Sequence, residues 1–150
     1  EMILRETTDE NSPLALKKIS GGFRVPILGS AAGRVFLSYT DDINRKKILS
    51  NISKDKTYKS NLISNDKETI KKIISDVKDS GYSVFSRTDL KQSVFAMPIN
   101  TNYGIIGTIA LRFIDTAISK NDIKKKYLKA IVNTSKKIAR SYELSLNRKN

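Results

Sequence analysis

The chain has 150 residues, an ordinary length for a single domain with its own hydrophobic core. Cysteine and histidine are both absent, which excludes disulfides, Cys/His zinc sites, cysteine nucleophiles and Ser-His-Asp triads. The apolar share of 39% is typical of a soluble globular domain, and no apolar run is long enough to span a membrane. We expect a cytoplasmic protein without metal or cofactor.

The net charge of +13 is concentrated near the C-terminus. Residues 120–150 contain 10 lysines and arginines against Asp122 and Glu143, which is over half of the excess. Two interpretations are open: a surface that binds nucleic acid, or a lysine-rich helix face exposed to solvent.

The first half of the chain predicts short extended segments followed by helices. Residues 2–8 are predicted as a strand, and residues 23–27 as extended chain. Ser30 is a typical N-cap for a helix over residues 31–37. A second helix begins at Asp41 and Asp42, and its predicted apolar face is Ile43, Ile48, Leu49 and Ile52. Residues 53–64 are polar and are predicted as a loop.

The second half predicts three strands between two helices. A helix capped by Asn65 or Asp66 runs to Ser80, where Gly81 ends it; its apolar face is Ile70, Ile73, Ile74 and Val77. Strands follow at residues 82–87, 93–100 and 105–114. The last helix covers residues 121–146, with the apolar stripe Ile123, Tyr127, Ile131, Ile138 and Tyr142. This order predicts an α+β fold in which helices pack on an antiparallel sheet.

Strand alternation indicates a candidate site around Arg112. One face of strand 105–114 is apolar and should lie under helices, whereas the other carries Ala110 and Arg112. An arginine there either pairs with a carboxylate or extends to solvent. If Phe85 and Phe95 of the neighbouring strands lie on the same side, the surface suits an aromatic acid. Plain core packing of the two rings is the other interpretation.

The small residues before the first helix form a second candidate. The backbone N–H groups around Ser30, Ala31 and Ala32 are suited to binding an anion, although tight packing explains the small residues equally well. No phosphate-binding loop, nucleophile elbow or dinucleotide fingerprint is present, and no nucleophile–base pair is evident. We therefore expect no catalytic residues.

Four segments, in order along the chain, resemble IclR-type transcription regulators. Residues 22–37 (GFRVPILGSAAGRVFL) are similar to the segment of that family that precedes and begins its first helix. Residues 80–83 (SGYS), 94–99 (VFAMPI) and 104–111 (GIIGTIAL) resemble its later strand motifs. Residues 5–8, 12–14, 24–28 and 32–34 further resemble the branch that contains activators of hydroxyphenylpropionate breakdown.

The resemblance implies that residues 1–150 are an effector-binding and oligomerisation domain with a GAF-like antiparallel sheet flanked by helices. It implies assembly into a homodimer or tetramer, and a winged helix-turn-helix outside this chain that contacts operator DNA. The chain does not begin with Met, and we expect it to be incomplete at its N-terminus. The chain would then not be an enzyme.

The family's effector contacts fall on residues at both candidates. They are the backbone of Ala31 and Ala32 and the side chains of Phe85, Phe95, Ala110 and Arg112, with Ser30 as a further donor. Members that bind glyoxylate or pyruvate carry polar residues where this chain has two Phe, Ala and Arg. The resemblance therefore implies a larger carboxylate effector, most simply an aromatic one. A small enzyme that acts on an organic acid and a lysine-rich nucleic-acid-binding module remain the alternatives.

Overall fold

The computed structural model describes residues 1–12 and 18–148. Within them, the strands are β1 (Met2–Ile3), β2 (Arg24–Val25), β3 (Ser83–Arg87), β4 (Gln92–Thr101) and β5 (Gly104–Ile114). The helices are α1 (Ala31–Tyr39), α2 (Asp42–Lys54), α3 (Lys67–Ser80) and α4 (Lys120–Asn147). Short 3-10 turns cover Asp9–Asn11, Lys59–Asn65 and Thr88–Leu90.

Strands β3, β4 and β5 form an antiparallel sheet in that order, and β1 and β2 form a separate two-stranded ribbon. The predicted α+β fold, an antiparallel sheet flanked by helices, is confirmed. The first strand is shorter than the predicted residues 2–8, because the chain turns into the 3-10 turn at Asp9–Asn11. The family motif at residues 12–14 lies partly outside the described residues.

Helix α4 packs on one face of the sheet, which we call the α4 face. Its core consists of Phe95, Phe113, Ile123 and Ile131, with Leu111 packed against them. The prediction that the apolar side of β5 lies under a helix is thus confirmed. Burial of these large side chains is the main source of stability at this face.

Helix α1 covers the opposite face of the sheet, which we call the α1 face. Ala31 and Val35 of α1 are fully buried in one cluster with Val77 of α3 and Ala96 of β4. On its outer side α1 meets α2 and α3 in a second cluster: Ile27, Leu28, Leu37, Ile52 and Ile70. The α1 face therefore carries two helical layers, and the α4 face carries one.

The helices begin and end at residues that the sequence predicts. The Oδ1 atom of Asp66 accepts a hydrogen bond from Thr69 N at 3.0 Å, and Asp41 caps α2 in the same way at 2.9 Å. Gly81 ends α3 in the left-handed conformation at φ 80°, where glycine carries no steric penalty. These contacts satisfy backbone groups that helix ends leave without intrahelical partners.

The prediction for the region around α2 is partly wrong. Residues 53–64 are not all loop, since α2 runs to Lys54 and a 3-10 turn covers Lys59–Asn65. Ile43, predicted on the apolar face of α2, is 70% exposed. The 3-10 turn buries the side chain of Asn61, whose amide donates to the carbonyl of Asp55 at 3.0 Å, so polar contacts order this segment without an apolar pattern.

The predicted stripe of α4 is also partly wrong. Ile123 and Ile131 are buried as predicted, but three other members are about 40% exposed: Tyr127, Ile138 and Tyr142. The buried positions that follow Ile131 are Ser135 and Ala139. Their small side chains let the helix lie close to β4, where Ser135 Oγ donates to the carbonyl of Pro98 at 2.6 Å.

None of the helices in the described residues combines the length and the apolar content that crossing a membrane requires.

Candidate functional site

The first turn of α1 lies over the central strand of the sheet. Ala31 packs in the cluster that contains Ala96, and Ala32, Phe85 and Val94 surround this cluster as partly buried side chains. Gly33 permits the close approach of α1 to the preceding chain, because an added Cβ would overlap the backbone of Ile27. The structure therefore brings the predicted Ala31, Ala32 and Phe85 together.

The strand register places Ala110 and Arg112 on the same face. Arg112 pairs with Val94, which in turn pairs with Phe85, so these three residues form a row across the sheet. Ala110 pairs with Ala96 in the adjacent row. Paired residues point to the same side of a sheet. Ala110 is exposed and Arg112 is half-buried, which leaves Ala110 accessible at this point of the face.

The prediction that Phe95 shares a face with Arg112 is wrong. Phe95 pairs with Val84 and Leu111 and lies on the α4 face, where it is 1% exposed. Its ring stacks on Tyr82 with centroids 4.7 Å apart. Because neighbouring residues of a strand alternate between faces, the partner of Phe85 is Val94 rather than Phe95. Val94 and Ala96 therefore take the place on the α1 face that the sequence analysis assigned to Phe95.

Arg112 is paired with a carboxylate of its own chain. Its Nη2 atom donates to Asp9 Oδ2 at 2.6 Å, and the side chains of Arg112 and Asp9 are 25% and 17% exposed. The same Asp9 oxygen accepts a hydrogen bond from Ile19 N at 3.2 Å. Of the two predicted states of Arg112, the structure shows the ion pair. Sequence reasoning missed Asp9, since 103 residues separate the partners.

Arg34 brings a second guanidinium to this face. Its Cζ atom lies 4.9 Å from the centre of the Phe85 ring, a cation–π geometry. Its Nε atom donates to the carbonyl of Leu28 at 2.9 Å. Burial lowers the pKa of Arg34, but a guanidinium stays charged at neutral pH. The α1 face thus carries two cations near one aromatic ring, and the sequence analysis had treated Arg34 only as part of a motif.

Ser30 acts within its own turn. Its hydroxyl donates to the carbonyl of Pro26 at 2.7 Å and accepts from Gly33 N at 3.1 Å. A serine hydroxyl has one proton, so the N-cap interpretation describes Ser30 in this structure. The N–H groups of Ala31 and Ala32 precede the first intrahelical bond of α1, which joins Arg34 N to Ser30 O at 3.1 Å.

Features elsewhere on the molecule lie away from this site. A cavity of about 220 Å³ lies between β4 and α4, and its walls are Met97, Pro98, Asn100, Val132, Ser135 and Lys136. Exposed lysines follow α4: Lys125, Lys126, Lys129, Lys136 and Lys137. They lie on the helix that covers the other face of the sheet, and both interpretations of their charge stay open. Within residues 1–12 and 18–148, no acidic cluster is suited to a metal ion.

No family model matches the chain. Solved structures do match, and three of them are transcription regulators or their ligand-binding parts. The Thermotoga maritima IclR matches with a TM-score of 0.67 at 18% identity, over 84% of this chain and 51% of the regulator. The C-terminal domain of the E. coli regulator KdgR matches with a TM-score of 0.63 at 22% identity, over 83% of this chain and 77% of that domain.

A third match carries a ligand in its description. It is a double mutant of the inducer-binding domain of PobR from Acinetobacter, in complex with 3-hydroxybenzoic acid. Its TM-score is 0.64 at 17% identity, over 85% of this chain and 75% of that domain. The present chain spans about half the length of the Thermotoga regulator. It has the fold of the C-terminal domains of IclR-type regulators.

Proposed function

We propose that this chain is the ligand-sensing domain of an IclR-type transcription regulator, and that it binds a small aromatic carboxylate on the α1 face. The observation that carries the proposal is the grouping of Phe85, Ala110 and Arg112 beside the first turn of α1. The fold supports it, since an inducer-binding domain with the same fold is described in complex with 3-hydroxybenzoic acid.

The chemistry of the α1 face fits such a ligand. The Arg112 guanidinium would hold the carboxylate through paired hydrogen bonds, and Phe85 would contact the ring of the acid. Ala110 leaves room that a larger side chain would fill. Arg34 adds positive potential beside Phe85, and the N–H groups of Ala31 and Ala32 add backbone donors. An acid bound at Arg112 has to share or take over the guanidinium that Asp9 holds.

In this proposal the ligand acts by shifting a population of states. The domain assembles into a homodimer or tetramer in the cytoplasm, and the acid binds one arrangement of the oligomer better than another. A coupling of about 1–3 kcal/mol changes operator affinity by roughly 5- to 150-fold. Operator DNA is contacted by a winged helix-turn-helix outside this chain. The domain binds its ligand without turnover.

A thermal-shift screen tests the proposal. The ligands are benzoate, 3-hydroxybenzoate, 3-(4-hydroxyphenyl)propionate, glyoxylate and pyruvate, each added to wild type, Arg112→Ala and Arg140→Ala. Arg140 is an exposed arginine of α4 and controls for the loss of one positive charge. A ligand at 100 times its Kd stabilises the folded state by about 2.7 kcal/mol.

We expect an aromatic acid to raise the Tm of wild type and Arg140→Ala but not that of Arg112→Ala. A shift that persists in Arg112→Ala would move the anchor to Arg34 or to the first turn of α1. A shift with pyruvate or glyoxylate alone would contradict the aromatic class. No shift with any acid, in any variant, would contradict the carboxylate proposal and leave the fold assignment in place.

A further inference from the structure

The segment that supplies Asp9 is held to the sheet by a polar contact. We call residues 7–12 the Asp9 segment; it contains the 3-10 turn Asp9–Asn11. None of the described residues from 3 to 12 and from 18 to 24 is buried. Asp9 Oδ2 is the point at which the segment meets both Ile19 N and the Arg112 guanidinium.

The group that Asp9 presents to Arg112 is the same group that an organic acid would present. The Asp9 carboxylate lies 2.6 Å from Arg112 Nη2, in a pair whose side chains are both largely shielded from solvent. A second carboxylate on the same guanidinium would stand close to the first, and two like charges at short range in a half-buried site repel each other. The pair therefore sets a cost on binding an acid at Arg112.

We propose that Asp9 is a built-in competitor for the effector, and that an acid binding at Arg112 detaches the Asp9 segment from the sheet. The inference rests on the proposed function, because it assumes that Arg112 anchors the acid. The aspartate occupies the anchor when the site is empty. The effector takes its place, and the released segment changes the surface beside the β1–β2 ribbon.

Detachment needs little disruption of the rest of the fold. Segments with few buried contacts open at low free-energy cost, and the Asp9 segment has no buried side chain to expose. Its internal bonds, from Asn11 N to Thr8 O at 3.0 Å and from Ser12 N to Asp9 O at 3.2 Å, do not involve the sheet. The measured affinity for an acid is then the intrinsic affinity reduced by the fraction of molecules in which Asp9 has left Arg112.

Binding measurements on two matched variants test the competition. Asp9→Asn removes the competing charge, and Glu10→Gln removes the same charge from an exposed neighbour in the same 3-10 turn. Isothermal titration with 3-hydroxybenzoate and with 3-(4-hydroxyphenyl)propionate gives the Kd for each protein. We expect Asp9→Asn to bind roughly tenfold more tightly than wild type, and Glu10→Gln to bind within about twofold of it.

Hydrogen exchange tests the detachment. Saturating acid should speed the exchange of the Asn11, Ser12 and Ile19 amides in wild type and leave the amides of β4 unchanged. Asp9→Asn should show fast exchange of the Ile19 amide without any acid. Urea unfolding of Asp9→Asn should match wild type closely, which separates release of the segment from loss of the fold.

The outcomes separate the two proposals. If an acid binds wild type through Arg112 and Asp9→Asn binds it no more tightly, the competitor is overturned and the ligand site stands. If acid binding leaves the exchange of the Asp9 segment unchanged, the detachment is overturned. If no acid binds wild type or Asp9→Asn, or if binding persists fully in Arg112→Ala, the carboxylate anchor and the competitor both fail. Binding detected only in Asp9→Asn supports the competitor most directly.

Discussion

The two faces of the β3–β4–β5 sheet have different compositions and different contacts. The α4 face is an apolar layer in which Phe95 and Phe113 pack under one helix. The α1 face combines small apolar residues with Arg34 and with the ion pair of Arg112 and Asp9. Strand alternation alone separates the two, since Val94 and Phe95 are adjacent in sequence and point to opposite sides.

The difference suggests a division of labour within one sheet. Apolar burial contributes most of the stability where it is continuous, as on the α4 face. A face that carries charged side chains at partial exposure gains less from burial and keeps groups available for recognition. The following changes test this division, and they run from the largest expected effect to the smallest.

Truncation of the largest buried ring should cost the most stability. We expect Phe95→Ala to lower the free energy of unfolding by about 3–5 kcal/mol, the usual cost of removing a buried phenylalanine side chain. Phe85→Ala is the matched change on the α1 face and should cost less, because Phe85 is only half-buried. Urea unfolding followed by circular dichroism measures both.

Binding of an aromatic acid gives the opposite ranking for the same pair. Phe85→Ala should weaken binding, whereas Phe95→Ala should leave the Kd close to wild type at a temperature where the variant is folded. If Phe95→Ala abolished binding while it stayed stable, the assignment of the two faces would be wrong.

Gly33 tests the close approach of α1. An added Cβ would overlap the Ile27 backbone, so Gly33→Ala should destabilise the fold by about 1–3 kcal/mol, as overpacking usually does. Gly107→Ala is the control in β5, where no atom lies within 4 Å of the added Cβ. Equal unfolding midpoints for the two variants would contradict the tight contact between α1 and the chain before it.

Ser30 tests the N-cap of α1. Ser30→Ala removes the acceptor for Gly33 N and the donor to Pro26 O, and we expect a loss of about 1 kcal/mol. Ser30→Asp restores the acceptor and should recover most of the stability. If Ser30→Ala kept full stability but lost acid binding, Ser30 would be a ligand contact and not only a cap.

Asp66 gives the smallest effect, which depends on pH. The Thr69 hydroxyl, together with the Thr69 backbone N–H, lowers the pKa of the Asp66 carboxyl. Its contribution to stability is therefore present above the unfolded-state pKa of about 3.9 and is lost as the pH falls through the lower folded-state pKa.

The measurement compares wild type with Asp66→Asn, which keeps a cap but cannot ionise. We expect wild type to be the more stable protein at pH 7 and the difference to shrink as the pH approaches 2. A difference that stayed constant over this range would show that the Asp66 charge contributes nothing to the cap.

Much of the fold follows from local patterns along the chain. The start of α1 at Ser30, the stripe of α3 and the end of α3 at Gly81 each depend on side chains and backbone groups a few residues apart. Such contacts are encoded where they form, so the sequence predicts them without knowledge of the tertiary structure. The apolar side of β5 is another case, since its alternation shows directly which residues lie under a helix.

The candidate site was only partly predictable. Alternation within β5 groups Ala110 with Arg112, but the relation between strands depends on register, which no single strand contains. That is why Phe95 was placed with Phe85, and why Val94 was missed. The exposure of Tyr127 and Ile138 on α4 has a similar cause, because the rotation of a helix on a sheet is decided by the residues it meets.

By itself, then, the sequence determined the types and ends of most helices and strands, the apolar side of β5 and the presence of an arginine on its other side. The tertiary structure alone decided which aromatic ring stands beside Arg112, that Arg34 lies over that ring, and that Asp9 pairs with Arg112. The physical reason is distance along the chain. Local hydrogen bonds and periodicity act over a few residues, whereas a pair 103 residues apart forms only when the whole fold brings its members together.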